Sequence, residues 1–235
     1  VGRKKAIDCL ELFRSGRWFA SLPAGLQDEL LQLARLRTLD AGERLFSRGD
    51  ACAGLYGVVD GSIRVSGTSA RGKEALLVVL ESPNWFGEVA VFDGMARTHD
   101  ASADGPTTLV EVPLAALHNL LDSEPRYWRD LGRLIAGKLR LAFTTMEDTA
   151  LLPIATRVAR RLCWMAEGYG QWQGRSQRSI DLKQDQLAQM LGSSRQTINQ
   201  NLKTLESQGL IRTTYGQIEI LDLPGLRGVG GLDSA

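Results

Sequence analysis

From Arg37 to Val112 the chain is a succession of short runs with β character. Short apolar runs are cut at Asp40-Ala41-Gly42, Arg48-Gly49-Asp50, Asp60-Gly61, Arg71-Gly72 and Asp104-Gly105-Pro106, and breaks of this kind between apolar runs are hairpin signals. Strands at such short, regular intervals imply a small β-barrel or roll, whose interior can shelter a ligand. Ahead of it, Ile7, Leu10, Leu12 and Phe13 predict a short amphipathic helix packing on the barrel. Leu22-Pro23 then opens a helix within Phe19 to Leu36, in which Leu26, Leu30, Leu33 and Ala34 recur at helical spacing.

Past Val112 the period changes. Pro113 with Leu114, Leu117, Leu120 and Leu121 begins a helix, and Pro125 starts a longer one reaching about Ala150. Its residues Trp128, Leu131, Ile135, Leu139, Ala142 and Met146 step by three or four, a stripe of coiled-coil type. Roughly 26 residues make about 39 Å of helix, more than one small barrel covers, so the helix is expected to pair with its copy in a two-fold dimer. Leu151-Leu152-Pro153-Ile154 ends it, because proline cannot donate to the preceding turn but suits the first turn of a new helix. This is the expected hinge. Ile154 to Ala166 forms a further helix closed by Glu167-Gly168, and Tyr169 to Ser179 reads as a polar, Gly-rich loop.

The next stretch carries a reading head. Lys183 to Gly192 leads into Ser193 to Lys203 as helix, tight turn and second helix. Ala188 is small where the helices cross, Gly192 can take the left-handed turn conformation, and Ile198 faces the core. Leu205, Leu210 and Ile211 continue that core, and Thr213 to Leu221, with Gly216 at its tip, reads as a wing hairpin. On the second helix Arg195 can bond guanine bidentately, while Gln196, Asn199, Gln200 and Asn201 can serve adenine or mixed sites. Ser194, Thr197, Lys203 and Lys183 suit phosphate contacts. The whole chain has a net charge of only +1, which does not advertise nucleic-acid binding. The patch around the two helices does, with Arg175, Arg178, Lys183, Arg195, Lys203 and Arg212 against Asp181, Asp185 and Glu206.

Residues 86 to 101 suggest a second ligand. Gly87 lets the backbone turn sharply and approach a ligand, and the turn of helix after it would aim free N–H groups at an anion. Arg97 offers a permanent charge with a forked donor face, and Thr98 a hydroxyl. Glu88 repels phosphate and makes sense there only if it accepts from a hydroxyl such as a ribose 2′-OH. A ligand with one phosphate and one ribose edge is a nucleotide.

Taken together, Gly87-Glu88-Val89-Ala90-Val91 with Arg97, the upstream residues 41–50 and 55–65, and the helix-turn-helix resemble the Crp/Fnr family of bacterial transcription regulators from about Phe19 to Leu223. The resemblance implies an α+β chain: an N-terminal cyclic-nucleotide-binding β-roll, jelly-roll-like, over 1–123; a long dimerisation helix and hinge over 124–152; a C-terminal winged helix-turn-helix over 153–227; and a tail, 228–235. It implies that Glu88 holds the ribose hydroxyl, that Arg97 and Thr98 hold the cyclic phosphate, and that Lys138 steadies Glu88. Where cyclic-AMP-responsive members carry Thr and Ser for the adenine, this chain has Ala142 and Phe143, so Thr145, with Thr144 beside it, is the expected substitute. His99 and Asp100 replace the small residues usual after the Arg, and Gln196 and Gln200 stand where Glu and Arg are common among base readers. The expected effector is a cyclic nucleotide, cyclic AMP first, with cyclic GMP, a cyclic dinucleotide or no diffusible effector behind it. The expected partners are double-stranded DNA with a palindromic operator, a second copy of the chain, and RNA polymerase.

Other classes find less support. His99-Asp100 lacks the further ligands of a metal phosphohydrolase, only His118 remaining, and no Ser/His/Asp or Cys/His set is present, so no catalysis is expected. Cys9, Cys52 and Cys163 are scattered, without a CxxC or the N-terminal cluster of oxygen-sensing relatives, and read as reduced thiols of a cytoplasmic protein. Haem ligation through His99 or His118, in a gas sensor, is the remaining variant. No apolar run approaches the roughly 20 residues of a membrane span, and the start lacks a signal peptide's apolar core.

Overall fold

The structure is a computed structural model and describes residues 5–69, 72, 74–172 and 176–232. Arg71 and Arg175 of the motifs above, and the last three tail residues, lie outside the described residues. The chain divides into two compact units, Val1–Gly67 with Leu77–Leu139, and Thr68–Leu76 with Arg140–Ala235.

In the first unit a 3-10 turn at Ala6–Cys9 precedes helices α1 (Leu10–Arg14), α2 (Arg17–Ala20) and α3 (Ala24–Leu33). Strands β1 (Arg35–Leu39), β2 (Arg44–Phe46), β3 (Gly54–Asp60), β4 (Ser62–Thr68), β5 (Glu74–Glu81) and β6 (Trp85–Phe86) follow. Next come helix α4 (Glu88–Asp93), strands β7 (Asp100–Ala103) and β8 (Thr107–Pro113), helix α5 (Leu114–Ser123) and helix α6 (Tyr127–Leu151), whose residues from Arg140 on belong to the second unit. The strands form two four-stranded sheets, ordered β1-β8-β3-β6 and β2-β7-β4-β5. Leu39, Tyr56, Val58, Ile63, Leu80, Phe86, Ala101 and Leu109 fill the space between them. On the other side of the first sheet, Phe13, Phe19, Leu26, Leu30, Leu117 and Leu131 of the helices pack on Leu55, Val59, Val110 and Val112. Because β3 is covered on both faces, it is buried from Gly54 to Val59 and shows no in-out alternation. Phe19 stacks on Trp85 at 5.5 Å between centroids, and Phe13 tilts against the same ring at 4.7 Å.

Two expectations need correction here. Asp40-Ala41-Gly42, Asp60-Gly61 and Asp104-Gly105-Pro106 do not close hairpins. Each carries the chain from one sheet to the other, and within these two sheets only β4 and β5, either side of Gly72, are both consecutive and neighbours. An Asp-Gly pair reports a local turn; which strand pairs with which is set by burial between sheets. The helix opened by Leu22-Pro23 is present as α3, but it ends one residue short of the expected stripe. Pro23 is the N-cap of α3, Phe19 belongs to α2, Ala34 is already extended, and Leu36 pairs with Val110 in the ladder of β1 and β8. Pairing across the sheet outweighs helical spacing at that end.

In the second unit, α7 (Ile154–Ala166) starts after Pro153, its N-cap, and a 3-10 turn follows at Gly168–Gly170. Strand β9 (Ser179–Asp181), helices α8 (Gln184–Leu191) and α9 (Arg195–Ser207), strands β10 (Ile211–Thr214) and β11 (Gln217–Ile220), and helix α10 (Leu223–Val229) complete it. The wing begins at Ile211 rather than Thr213, and β9, at the end of the expected loop, joins it as a third strand in the order β10-β11-β9. Val158, Leu162, Leu187, Leu191, Ile198, Leu202 and Leu226 share one core. Gly192 has φ +60° between α8 and α9, the left-handed corner that a Cβ would strain.

Helix α10 is an element the sequence reading does not contain. Its local signal is present in Asp222, whose carboxylate caps the N–H of Gly225 at 3.0 Å, but too short to carry a periodicity. Leu226 is its fully buried residue. Leu226→Ala is expected to destabilise this unit by about 2–5 kcal/mol, read as an earlier denaturant midpoint in its own transition.

Candidate functional site

Arg97 leaves the surface just before β7. Two reciprocal main-chain bonds hold its segment: Arg97 donates to the carbonyl of Asp50 at 2.8 Å, and Gly49 donates to that of Arg97 at 2.8 Å. The Arg48 N–H bonds the Asp100 carboxylate at 2.9 Å, and its side-chain Nε bonds the Thr98 carbonyl at 2.7 Å. So anchored, the guanidinium turns inward and is 4% exposed. Nη1 donates to the carbonyl of Gly87 and Nη2 to that of Gly54, both at 2.8 Å. The rings of Phe46 and Tyr56 lie 4.4 and 5.5 Å from its carbon. Among the described residues Arg97 forms no ion pair.

Gly87 adopts φ +92°, and a Cβ there would sit 3.0 Å from Nη1 of Arg97, so the bend and the close approach both need glycine. Glu88 begins α4 with its carboxylate buried to 3%, and Lys138 of α6 donates to it at 2.7 Å. Val89 is exposed beside it. Thr98 is exposed, and its hydroxyl bonds Nδ1 of His99 at 2.9 Å. Burial, and next the Arg48 charge, hold the His99 imidazole below its ordinary 6.5, with Asp100 pulling the other way. Burial, and next the Glu111 carboxylate, push the Tyr56 phenol up. Cys52 is pushed up by burial against the opposing pull of Arg97.

Glu88, Gly87, Arg97 and Lys138 are thus brought together through direct bonds. Thr144 and Thr145 are spent within α6, where their hydroxyls bond the carbonyls of Arg140 and Leu141 at 3.0 and 2.8 Å. The carbonyl of Gly54 and the rings of Phe46 and Tyr56 had no signal in the sequence that tied them to Arg97. Among the described residues no cluster of His, Cys, Asp and Glu could hold a metal ion. Among them too, no helix is long and apolar enough to cross a membrane.

On the second unit, Arg195, Gln196, Gln200 and Lys203 stand exposed along one side of α9, with Asn199 half-buried beside them. Ser194 caps the helix, accepting from the Thr197 N–H at 3.0 Å, and the two hydroxyls bond each other at 2.8 Å. Asn201 departs from expectation: its amide donates to the Thr197 carbonyl at 2.8 Å and is turned onto its own helix. Lys183 is exposed at the N-cap of α8. Arg195 pairs with Asp185 at 3.4 Å, a partner that sequence spacing does not suggest.

Models of known families match both units: the cyclic nucleotide-binding domain over residues 36–124 and the Crp-like helix-turn-helix domain over 156–229. The chain is 29% identical over 182 residues, 77% of its length and 81% of the relative's, to a CRP-like cAMP-activated global transcriptional regulator of Mycobacterium tuberculosis. It is 26% identical over 188 residues, 78% and 88% of the two lengths, to a cAMP-activated global transcriptional regulator of Pseudomonas aeruginosa. Among solved structures, a CRP/FNR-family transcriptional regulator from Thermus thermophilus is similar at TM-score 0.67 and 25% identity, over 84% of this chain and 98% of the other.

The burial of Glu88 against a single cation is testable by itself. Lys138→Met is expected to cost about 1–3 kcal/mol, less than the loss of a fully buried pair because the Lys138 side chain is 33% exposed. Adding Glu88→Gln should recover most of that loss in a denaturation double-mutant cycle.

Proposed function

The chain belongs to the Crp/Fnr family of transcription regulators, effector-gated proteins that bind DNA, and from that premise we propose that its effector is a cyclic mononucleotide, cyclic AMP first. One observation carries this reading: a buried arginine with no acidic partner among the described residues, next to a glutamate that has its own cation. A guanidinium has five N–H donors, and the two carbonyls use one on each Nη. Those left over, with the uncompensated charge, suit a phosphate. In this reading Arg97 and Thr98 take the cyclic phosphate, the backbone of Gly87 and Val89 lines it, and Glu88 accepts from the ribose hydroxyl while Lys138 holds its charge. Thr145, seven residues on from Lys138 and so on the same side of α6, is the proposed donor to the base, with Thr144 beside it.

A second observation favours a different base or ring. Ala142 and Phe143, the latter 59% exposed, offer no hydrogen bond, and the two threonine hydroxyls must first leave their helix carbonyls. A cyclic dinucleotide, or a regulator that needs no diffusible ligand, is the alternative.

For DNA, Arg195, Gln196, Asn199 and Gln200 are proposed to read base edges, and Lys183, Ser194, Thr197 and Lys203 to contact phosphates. Leu139, Phe143 and Met146, exposed by 49, 59 and 67% and spaced by four and three residues along α6, support the two-fold pairing of a family that acts as dimers. Two reading helices about 34 Å apart would then meet successive major grooves of a palindrome. The effector's influence would pass along α6 and across Pro153, and promoter-bound dimers would contact RNA polymerase.

Calorimetric titration with cyclic AMP, cyclic GMP and cyclic dinucleotides tests the effector. Binding should be lost in Arg97→Ala, while that variant keeps its salt-dependent binding to random duplex. Heat from no nucleotide in the panel would end the cyclic-nucleotide reading. Coupling is reciprocal, so operator DNA should tighten the effector by the factor the effector tightens DNA. A pH dependence follows from His99. Burial and the Arg48 charge disfavour the charged imidazole in the free protein, and an anion at Thr98 would favour it. Binding should therefore take up a proton and tighten as pH falls through the His99 pKa of the complex, the gain ending below the lowered pKa of the free protein. His99→Gln should flatten that profile.

A further inference from the structure

We propose that Asp185 is a positioning residue for base reading: it tethers Arg195 for guanine and trades affinity for DNA against selectivity between sequences. The inference rests on the reading of α9 given above. The carboxylate lies 3.4 Å from Nε of Arg195, with both side chains exposed, 69% for the arginine and 59% for the aspartate. An ion pair so exposed adds little to the stability of the fold. Its place is what matters.

Asp185 is the second residue of α8 and Arg195 the first of α9. Their separation is set from below by Leu187, Leu191, Ile198 and Leu202, which are buried in the shared core. The Ser194 cap fixes the start of α9. With the carboxylate on the Nε side of the guanidinium, the two Nη groups remain for O6 and N7 of guanine. A free arginine loses rotamer freedom in making that contact, and a tethered one loses less. The same carboxylate acts against binding in general. It lines a cleft of about 300 Å³ between the helix pair and the wing, along with Lys183, Thr213 and Tyr215, where donors suited to phosphate gather. A negative charge there opposes the sequence-independent attraction to the duplex. Tethering and repulsion therefore move two observables in opposite senses: removing Asp185 should raise affinity for random DNA and lower discrimination at one base pair.

The test uses the full chain with cyclic AMP present. A preferred duplex is selected from a randomised pool. Binding to it and to its single-base variants is then measured by fluorescence anisotropy for the parent, Asp185→Ala, Asp185→Glu, Arg195→Ala and the double variant with both alanines. Arg195→Ala should flatten preference at one position per half-site by about tenfold or more. Asp185→Ala should lower preference at that same position by about three- to tenfold while binding random duplex about two- to fivefold more tightly. Asp185→Glu should restore part of the preference, and the double variant should discriminate no worse than Arg195→Ala alone. If Asp185→Ala tightens all duplexes equally and leaves the preference intact, the carboxylate merely repels phosphate and the inference is overturned. If Arg195→Ala changes no position, the assignment of Arg195 as a base reader falls first.

Discussion

Arg97 has to bury a charge that cannot be neutralised by losing its proton, and the front unit is arranged around that requirement. Its main chain is gripped by Gly49 and Asp50, its side chain by the carbonyls of Gly87 and Gly54, and its flat faces by Phe46 and Tyr56. Neutral carbonyls and aromatic faces stabilise a cation in part. Among the described residues no counter-charge joins them. Gly87 serves both sides of this arrangement: its left-handed backbone presents the carbonyl to Nη1, and its missing Cβ leaves room for the guanidinium. The nearby Glu88 does not discharge Arg97, because Lys138 engages it. The acid and the arginine are thus kept on separate partners within a few residues of chain.

Helix α9 handles charge in the opposite manner: none of its charged side chains is buried, and its cations stand in solvent, where salt screens them. The buried residues Ile198, Leu202 and Leu205 point α9 inward on one side and leave Arg195, Gln196, Gln200 and Lys203 on the other. A second tie lies midway along α7. Arg160 bonds the Asp148 carboxylate, the Gly230 carbonyl at 2.6 Å and the Gly231 carbonyl at 3.1 Å, so the last turns of α6, helix α7 and the end of α10 meet on one side chain. This tie spans Pro153, the break between α6 and α7.

Much of the architecture was legible in the residue order because it is written in local terms. Pro113 and Pro153 mark helix starts, Gly192 a left-handed corner, and the residues from Tyr127 to Leu151 a continuous helix. The pairing of β-strands was not legible. Asp60-Gly61 marks a turn equally well whether the next strand returns beside the last or crosses to another sheet. Helix α10 escaped because seven residues containing Pro224 and two glycines hold too little periodicity to be seen.

The candidate site divides in the same way. The order of residues alone determined which chemical groups are present: a glycine, a glutamate and an arginine spaced for a nucleotide, and a polar helix after a tight turn. It could not determine how each group is spent. That Arg97 is buried against two carbonyls, that Lys138 reaches back 50 positions to Glu88, that Asn201 folds onto its own helix, and that Asp185 stands beside Arg195 are decisions of the tertiary structure. The physical reason is that donors and charges act over a few ångströms, and only packing decides which distant parts of a chain come that close.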